Sequence, residues 1–134
     1  MLKIMDIAAS AMNAQQQRLG TVASNLANVD SASSNATQGY KARRVVFSLD
    51  QQGNDPTAQG VKVASVVEDQ RPMKATYQPG HPLADDKGYV YMPNVNPVEE
   101  MTDMMSASRT YQINADVMNA AKQMAQKALA LGSE

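Results

Sequence analysis

The stretch from Asn96 to Leu131 constrains this chain most, because it predicts one helix that is too long for the rest of the chain to cover. Asn96 suits the N-cap, Pro97 suits the first helical position, and Glu99 follows three residues after the cap, as in a capping box. No Pro or Gly interrupts the sequence before Leu131. The helix of about 35 residues is therefore roughly 50 Å long.

The apolar residues of this helix form two stripes. The first alternates spacings of three and four residues, which predicts a packing seam. Two stripes indicate neighbours on more than one side, although one broad core face of a helical bundle also fits. The first stripe contains Met101, Met104, Ser108, Tyr111, Ala115, Met118, Lys122, Ala125 and Leu129, and the second contains Ile113, Val117, Ala120, Met124 and Leu131.

Residues 2–28 predict the partner helix, with a stripe of the same spacing. Gln15 on this stripe and Lys122 on the C-terminal one are weak layers, so an isolated pair is expected to be only marginally stable. Burial by further copies of the chain is then needed. The N-terminal stripe contains Met5, Ala8, Met12, Gln15, Leu19, Val22 and Leu26.

The segment between the helices predicts loops and a small β section. Residues 28–38 are rich in Ser, Asn, Asp and Thr, which is typical of a loop. Residues 40–49 carry β-forming side chains and residues 61–67 alternate, so we predict a hairpin around a polar turn at 50–60. A short third strand is predicted at 73–77. Because so few strands do not fold alone, they must lean on the helices or on neighbours.

These elements predict a mainly α fold with a small β section. Long N- and C-terminal helices pair as an antiparallel coiled coil, and a short β-hairpin region connects them. We divide the chain of 134 residues into an N-terminal helix at 1–30, a loop and hairpin region at 31–93, and a C-terminal helix at 94–134. Together they form one structural unit, as the length suggests.

Composition excludes several classes of function. A formal charge of −1 with 12 basic residues gives no electrostatic surface for nucleic acid. The lack of Cys excludes disulfides, thiolate metal sites and cysteine nucleophiles. No run reaches the length of a membrane span, and the apolar stretch at 4–9 is too short and contains Asp6, unlike a secretory signal peptide.

Candidate chemistry is sparse. His81 stands within Pro79-Gly80-His81-Pro82, where a turn residue is expected rather than a ligand or base. Asp85 and Asp86 lack calcium-loop spacing, and no phosphate loop or nucleophile elbow occurs. We predict that the chain is not an enzyme and has no cofactor, catalytic or metal-binding residue; a small enzyme would require a metal or ligand near these three side chains.

Two groups of residues resemble a known family. The first resembles the N-terminal signature of bacterial flagellar rod, hook and hook-associated proteins, and the second resembles the proximal rod members of that family. The match covers both termini and carries little of residues 50–75. The first group is Ser24, Asn25, Leu26, Ala27, Asn28, Gly39, Tyr40 and Lys41; the second is 79–82, 88–101 and 106–112, including Pro93, Asn94, Val95, Asn96, Glu99 and Glu100.

The resemblance implies a structural subunit of the flagellar basal-body proximal rod. Such proteins polymerise head to tail into a periplasmic helical tube that transmits torque and encloses the export channel. They are exported unfolded by the flagellar type III apparatus without a cleaved signal peptide. The implied partners are other copies of the chain, the rod proteins FlgB, FlgF and FlgG, the adaptor FliE and the export apparatus, with no nucleic acid and no direct membrane span.

The resemblance and the stripes together assign the helix residues. We predict that Met5, Met12, Leu19, Val22 and Leu26 pack within the chain against Met104, Tyr111, Met118, Ala125 and Leu129. Ile113, Val117, Met124 and Leu131 then face neighbouring subunits, although the two assignments can be exchanged. Asn25, Asn28 and Asn94 are expected to satisfy backbone groups where helix meets loop.

A different class of function fits the same two helices. A cytoplasmic coiled-coil adaptor or export chaperone also uses long amphipathic arms, which grip a partner helix. An adaptor stays in the cytoplasm with one client, whereas a rod subunit lies outside the inner membrane in a polymer of many copies.

Overall fold

The computed structural model describes residues 1–51 and 53–133 of the chain. Within them the elements follow the order α1 (Leu2–Ala27), β1 (Arg43–Gln51), β2 (Gln59–Glu68), β3 (Lys74–Tyr77), β4 (Tyr89–Met92) and α2 (Pro97–Gly132). The predicted fold class is confirmed, since two long terminal helices pack together and a small β section lies between them in sequence. The predicted turn at 50–60 and the predicted last region include Gln52 and Glu134, which lie outside the described residues.

The two helices run antiparallel. Arg18 on α1 forms an ion pair with Asp103 on α2, and Asn25 at the end of α1 bonds to Glu100 in the first turn of α2. Among the described helices and strands, only α1 runs with its main chain beside that of α2, whereas β1 reaches α2 through the side chains of Arg44 and Glu100. Ala107 and Ala121 on α2 are 0% and 1% exposed, so these small side chains mark the face that meets α1.

The C-terminal end of α2 extends beyond its partner. The helix has 36 residues against 26 in α1, and all of residues 126–133 are exposed. Ten extra residues correspond to about 15 Å of helix. Neither helix is long and apolar enough to cross a membrane, as far as the described residues go.

Strands β1 and β2 form the predicted hairpin, which lies along α1. Their antiparallel pairing runs from Arg43 opposite Glu68 to Gln51 opposite Gln59, with an irregularity between Val46 and Phe47. The base of this hairpin bonds to α1 at Asn25, and its turn reaches the first turn of α1, where Lys3 pairs with Asp55 at 3.3 Å. Helix α1 therefore contacts α2 and, separately, both strands of the hairpin.

A close approach between Ser10 and Gly60 holds the β1–β2 hairpin against α1. Ser10 Oγ donates to the carbonyl of Ile7 at 2.7 Å and accepts from the amide of Val61 at 3.2 Å. A Cβ on Gly60 would lie 2.6 Å from Ser10 Oγ, so only glycine fits there without displacing the hydroxyl. Small side chains on α1, including the buried Ala14, permit this spacing.

A second hairpin, β3–β4, lies just before α2. The predicted strand at 73–77 is confirmed as β3, and it pairs with β4 from Lys74 opposite Met92 to Tyr77 opposite Tyr89. Ser33 in the long loop exchanges main-chain hydrogen bonds with Tyr91 at 2.8 and 2.9 Å, a pairing that the polar loop sequence does not predict. Within the described part of the chain, no Cα atom of β3 or β4 lies within 8 Å of a Cα atom of either helix or of the other hairpin's strands.

Candidate functional site

The end of α1, the start of β1 and the first turn of α2 meet at a buried polar cluster. This cluster, called the junction below, consists of Asn25, Tyr40, Arg43, Arg44 and Glu100. Asn25 Nδ2 donates to the carbonyl of Arg43 at 2.9 Å and to Glu100 Oε2 at 3.1 Å. Asn25 Oδ1 accepts from the Arg43 amide at 2.9 Å and from the Tyr40 hydroxyl at 2.8 Å. One side chain thus joins three elements.

The acidic member of the junction is Glu100, which is 0% exposed. Its Oε1 accepts a hydrogen bond from Arg44 Nη1 at 2.5 Å, opposite the oxygen that Asn25 binds. A buried carboxylate is tolerated only where such partners replace water, and the N-terminal turn of a helix favours negative charge. Burial also raises the pKa of Tyr40 above its ordinary value. The junction is therefore a polar network whose two buried members, Asn25 and Glu100, both have hydrogen-bond partners.

A second group of charges continues the junction toward the surface. Arg71 bonds to Asp69 at 2.7 Å, and Glu99 lies 3.4 Å from Arg71 and 3.9 Å from Arg44. Hydrogen bonds from Arg71 lower the pKa of Asp69. The sequence predicts a capping box made by Asn96 and Glu99. Asn96 caps α2 as predicted, since it accepts a hydrogen bond from the Val98 amide at 3.0 Å. The carboxylate of Glu99 faces the guanidinium groups of Arg71 and Arg44.

Asn94, just before α2, bonds to main-chain groups in the same region. Its Oδ1 accepts from the amide of Ala42 at 2.7 Å, and its Nδ2 donates to the carbonyls of Asp69 and Arg71 at 3.0 and 2.8 Å. Asn28 Nδ2 donates to the carbonyl of Ser24 at 2.9 Å. Asn28 thus bonds to the main chain in the last turn of α1, as expected. Asn25 and Asn94 also bond to main-chain groups, but these belong to the start of β1 and to the segments before and after the first hairpin, not to helix ends.

The structure places the residues of the family signature in or around this region. Buried members are Asn25, Pro93, Asn94, Val95 and Glu100, while Leu26, Asn28, Gly39 and Tyr40 are half-buried, and Ser24, Ala27, Asn96 and Glu99 are exposed. The buried members either bond across elements or fill the space beneath the start of α2. The signature therefore encodes how the two ends of the chain meet.

The predicted intramolecular residues are for the most part partly covered. Val22 is 2% exposed, Leu129 is 75% exposed on the projecting end of α2, and the others are half-buried: Met5, Met12, Leu19, Leu26, Met104, Tyr111, Met118 and Ala125. The residues buried most deeply on α2 are Glu100, Ala107 and Ala121. The sequence reasoning named Glu100 only as part of the family signature and assigned no packing role to Ala107 or Ala121. A spacing search that includes Ala would find the last two, because they follow Met104 and Met118 by three residues.

The four predicted subunit-facing residues all lie on exposed surface. Ile113, Val117, Met124 and Leu131 are 54%, 41%, 48% and 77% exposed. Toward the start of α2, Met101 and Met105 are 59% and 70% exposed as well. These six residues are called the outer face of α2 below, and exposed apolar side chains of this kind can mark a protein contact.

Two of the three side chains that a metal or ligand site would require, His81 and Asp85, form hydrogen bonds to the main chain of their own loop. His81 Nδ1 accepts from the amide of Leu83 at 3.0 Å, and Asp85 Oδ1 accepts from the amides of Lys87 and Tyr89 at 2.9 Å each. These backbone hydrogen bonds lower the pKa of Asp85. In the described ranges, no group of three or more His, Cys, Asp or Glu side chains is placed to hold a metal ion.

Comparisons with known proteins agree at both ends of the chain and over its full length. Residues 5–41 match a family described as flagella basal body rod protein, and residues 86–131 match the C-terminal family of flagellar basal body rod FlgEFG proteins. The flagellar basal-body rod protein FlgC of Salmonella typhimurium is 54% identical over 98% of both chains. The counterpart from Yersinia enterocolitica is 48% identical over 98% of both chains. The counterpart from Borreliella burgdorferi is 37% identical over 95% of this chain and 94% of its own length.

Proposed function

The chain belongs to the FlgC family of flagellar basal-body rod proteins, and we propose that it polymerises through the outer face of α2 while α1 covers the inner face. It is a structural subunit of the rod and lies in the flagellar basal body. The observation that carries the proposal is the exposed apolar outer face on a helix that already has one partner. A cytoplasmic adaptor or chaperone is not favoured, because the relatives are rod proteins over the whole length of the chain.

The intramolecular pairing joins the half-buried stripe of α1 to that of α2. Met5, Met12, Leu19, Val22 and Leu26 supply one side, and Met104, Tyr111, Met118 and Ala125 supply the other. Leu129, on the projecting end of α2, is better placed for a neighbour than for α1, because the antiparallel arrangement leaves no α1 residue beside it. Met side chains adapt to neighbours of slightly different shape, which suits contacts that differ along a rod.

The outer face of α2 packs on adjoining subunits. Ile113, Val117, Met124 and Leu131 leave a large part of their apolar area in water in the single chain. Fully burying an exposed side chain of this kind contributes about 1.5–3 kcal/mol, and these four, already partly covered, can contribute a part of that each. Contacts between unlike surfaces of identical chains generate a helical filament when the rotation between neighbours does not close a ring. The neighbours are other copies of the chain, the rod proteins FlgB, FlgF and FlgG, and the adaptor FliE.

The assembled subunits form a periplasmic tube that transmits torque and encloses the export channel, and the chain reaches it through the type III apparatus without a cleaved signal peptide. The N-terminal apolar residues support this route. Residues 4–9 lie within α1, and Ala8 among them is 1% exposed. Cleavage after a small residue in this segment would remove side chains that pack in the fold.

Mass spectrometry of hook–basal bodies purified from the source cells tests the function. The chain should be present in several copies per particle, at a fixed ratio to the other rod proteins. A chain that is abundant in the cytosol and absent from intact particles would contradict the proposal.

A further inference from the structure

The loop that joins β3 to β4 has no role in the junction or on the helix faces. We call residues 78–87 the knob. It contains the Pro79-Gly80-His81-Pro82 motif and is carried by a hairpin whose strands have no Cα atom within 8 Å of one in any other helix or strand described. A loop held at the end of a separate hairpin is placed to meet another molecule.

Local bonds give the knob one shape. The His81 amide donates to the carbonyl of Gln78 at 3.0 Å, and the imidazole of His81 accepts from the amide of Leu83. At the base of the knob, Gly88 has a φ of +81°, and a Cβ there would lie 2.9 Å from the ring of Tyr77. Binding to a preorganised loop loses little conformational entropy, so its shape favours recognition.

The surface that the knob presents is apolar and acidic. Leu83 is 43% exposed, and the side chains of Asp86 and Lys87, three and four residues later, are exposed too. The carboxylate of Asp85 is occupied by the amides of Lys87 and Tyr89, whereas the ion pairs found among the described residues do not include Asp86. A surface that binds the knob should therefore combine an apolar floor with positive charge.

A groove with those properties lies beside the junction. Its volume is about 630 Å³, and it separates β1 from the first turns of α2. Thr21, Val22, Val45 and Phe47 line it with methyl groups and a ring, and its rim carries Arg18, Arg43, Arg44, Arg71, Glu99 and Asp103. Arg18, Arg44 and Arg71 already form ion pairs with carboxylates within the chain. Arg43 stands over the Tyr40 ring at 5.9 Å and takes part in none of the ion pairs of the described residues.

We propose that the knob of one copy of the chain docks into the groove of the next copy, with Leu83 on the apolar floor and Asp86 at Arg43. The proposal rests on the function above, since it names one contact within the polymer. Knob and groove are different surfaces, so their contact is head to tail and leaves a free knob and a free groove at the two ends. Opposite charges at the rim favour this orientation.

Disulfide trapping tests the contact, because the chain has no cysteine of its own. Cells co-express two differently tagged variants, Leu83→Cys and Thr21→Cys, and hook–basal bodies are purified and oxidised. The proposal expects a mixed dimer carrying both tags, since a disulfide requires Cα atoms within about 7 Å. Ala23→Cys, exposed on the same helix and outside the groove, is the matched control and should give no dimer with Leu83→Cys. Both variants incorporated without a mixed dimer would overturn the proposal.

Exchanging the charges of Asp86 and Arg43 tests the same contact by a second measurement. Asp86→Arg and Arg43→Glu should each lower the number of copies per purified particle by about two- to fivefold, in line with one rim ion pair. The combined variant should recover most of the loss. If the unsubstituted chain is absent from particles, the proposed function fails; if it is present and the combined variant is no better than the singles, only the docking of the knob fails.

Discussion

Asn25 and Glu100 are separated by 75 positions in sequence, yet their side chains are joined by a hydrogen bond of 3.1 Å and both are 0% exposed. The pair links the end of α1 to the start of α2. Much of the remaining seam consists of Ala and Met, which fit together in more than one register. A buried polar pair fits in only one register, because any slip leaves both groups without partners. This pair therefore fixes how the two ends of the chain meet.

Replacing Asn25 tests that role. Asn25→Ala removes four hydrogen bonds and leaves the Arg43 main chain and one Glu100 oxygen without a partner. We expect the free energy of unfolding to fall by about 2–3 kcal/mol, measured by urea unfolding followed by circular dichroism. Asn13→Ala, at an exposed position of the same helix, is the control and should change it by less than about 0.5 kcal/mol. Equal effects of the two variants would contradict the assignment.

The sequence alone predicts the elements that depend on local signals. Asn96 and Pro97 predict the start of α2, and the structure has its cap at Asn96. Alternating β-forming residues predict the hairpin of β1 and β2, which the structure confirms. Caps, turns and periodic stripes act over a few residues, so a single sequence contains them in full.

Contacts between distant segments are less predictable. Ala107 and Ala121 carry little hydrophobic signal, yet they lie at the centre of the face that meets α1, while the Met side chains beside them are only partly covered. The position of the hairpin along α1 depends on the fit of Ser10 to Gly60, and Ser33 pairs with Tyr91 across a long loop. Such pairings depend on three-dimensional fit, for which these residues give no periodic pattern.

Two glycine substitutions should shift stability in opposite directions. Gly60→Ala places a Cβ 2.6 Å from Ser10 Oγ and 3.3 Å from Ser10 Cβ, so the hydroxyl must leave the Val61 amide. We expect a loss of about 1–2 kcal/mol. Gly20→Ala, in α1 with open space around it, should add up to about 1 kcal/mol through helix propensity. Thermal unfolding of both variants measures the difference, and a stabilised Gly60→Ala would show that the hairpin does not lie against α1 as described.

Stability should depend on pH through Asp69. Hydrogen bonds from Arg71 hold the pKa of Asp69 below its ordinary value, so the unfolded chain takes up a proton before the folded one does. The stabilisation is fully present above the ordinary aspartate pKa of about 3.9 and is lost as pH falls through the lower folded value. The difference in unfolding free energy between wild type and Asp69→Asn should therefore be largest near neutral pH and shrink in acid. Asp116→Asn, on the exposed side of α2, is the control. A constant difference from pH 7 to pH 3 would exclude this origin.

Neighbouring substitutions on α2 separate folding from assembly. Val117 belongs to the outer face and is 41% exposed, whereas Met118 is half-buried and belongs to the stripe predicted to pack on α1. Val117→Lys should leave the helical circular dichroism signal and the unfolding midpoint of the purified chain nearly unchanged. It should nevertheless abolish incorporation into basal bodies and swimming, because the new ammonium group would be buried away from water at the subunit contact. Met118→Lys should abolish both assembly and swimming and also lower the unfolding free energy by about 2 kcal/mol or more, since its ammonium group meets α1 within the chain. Asn119→Lys, exposed one position further along, should swim normally. If Val117→Lys swims and Met118→Lys alone fails, the outer face is not a subunit contact and assembly must use another surface.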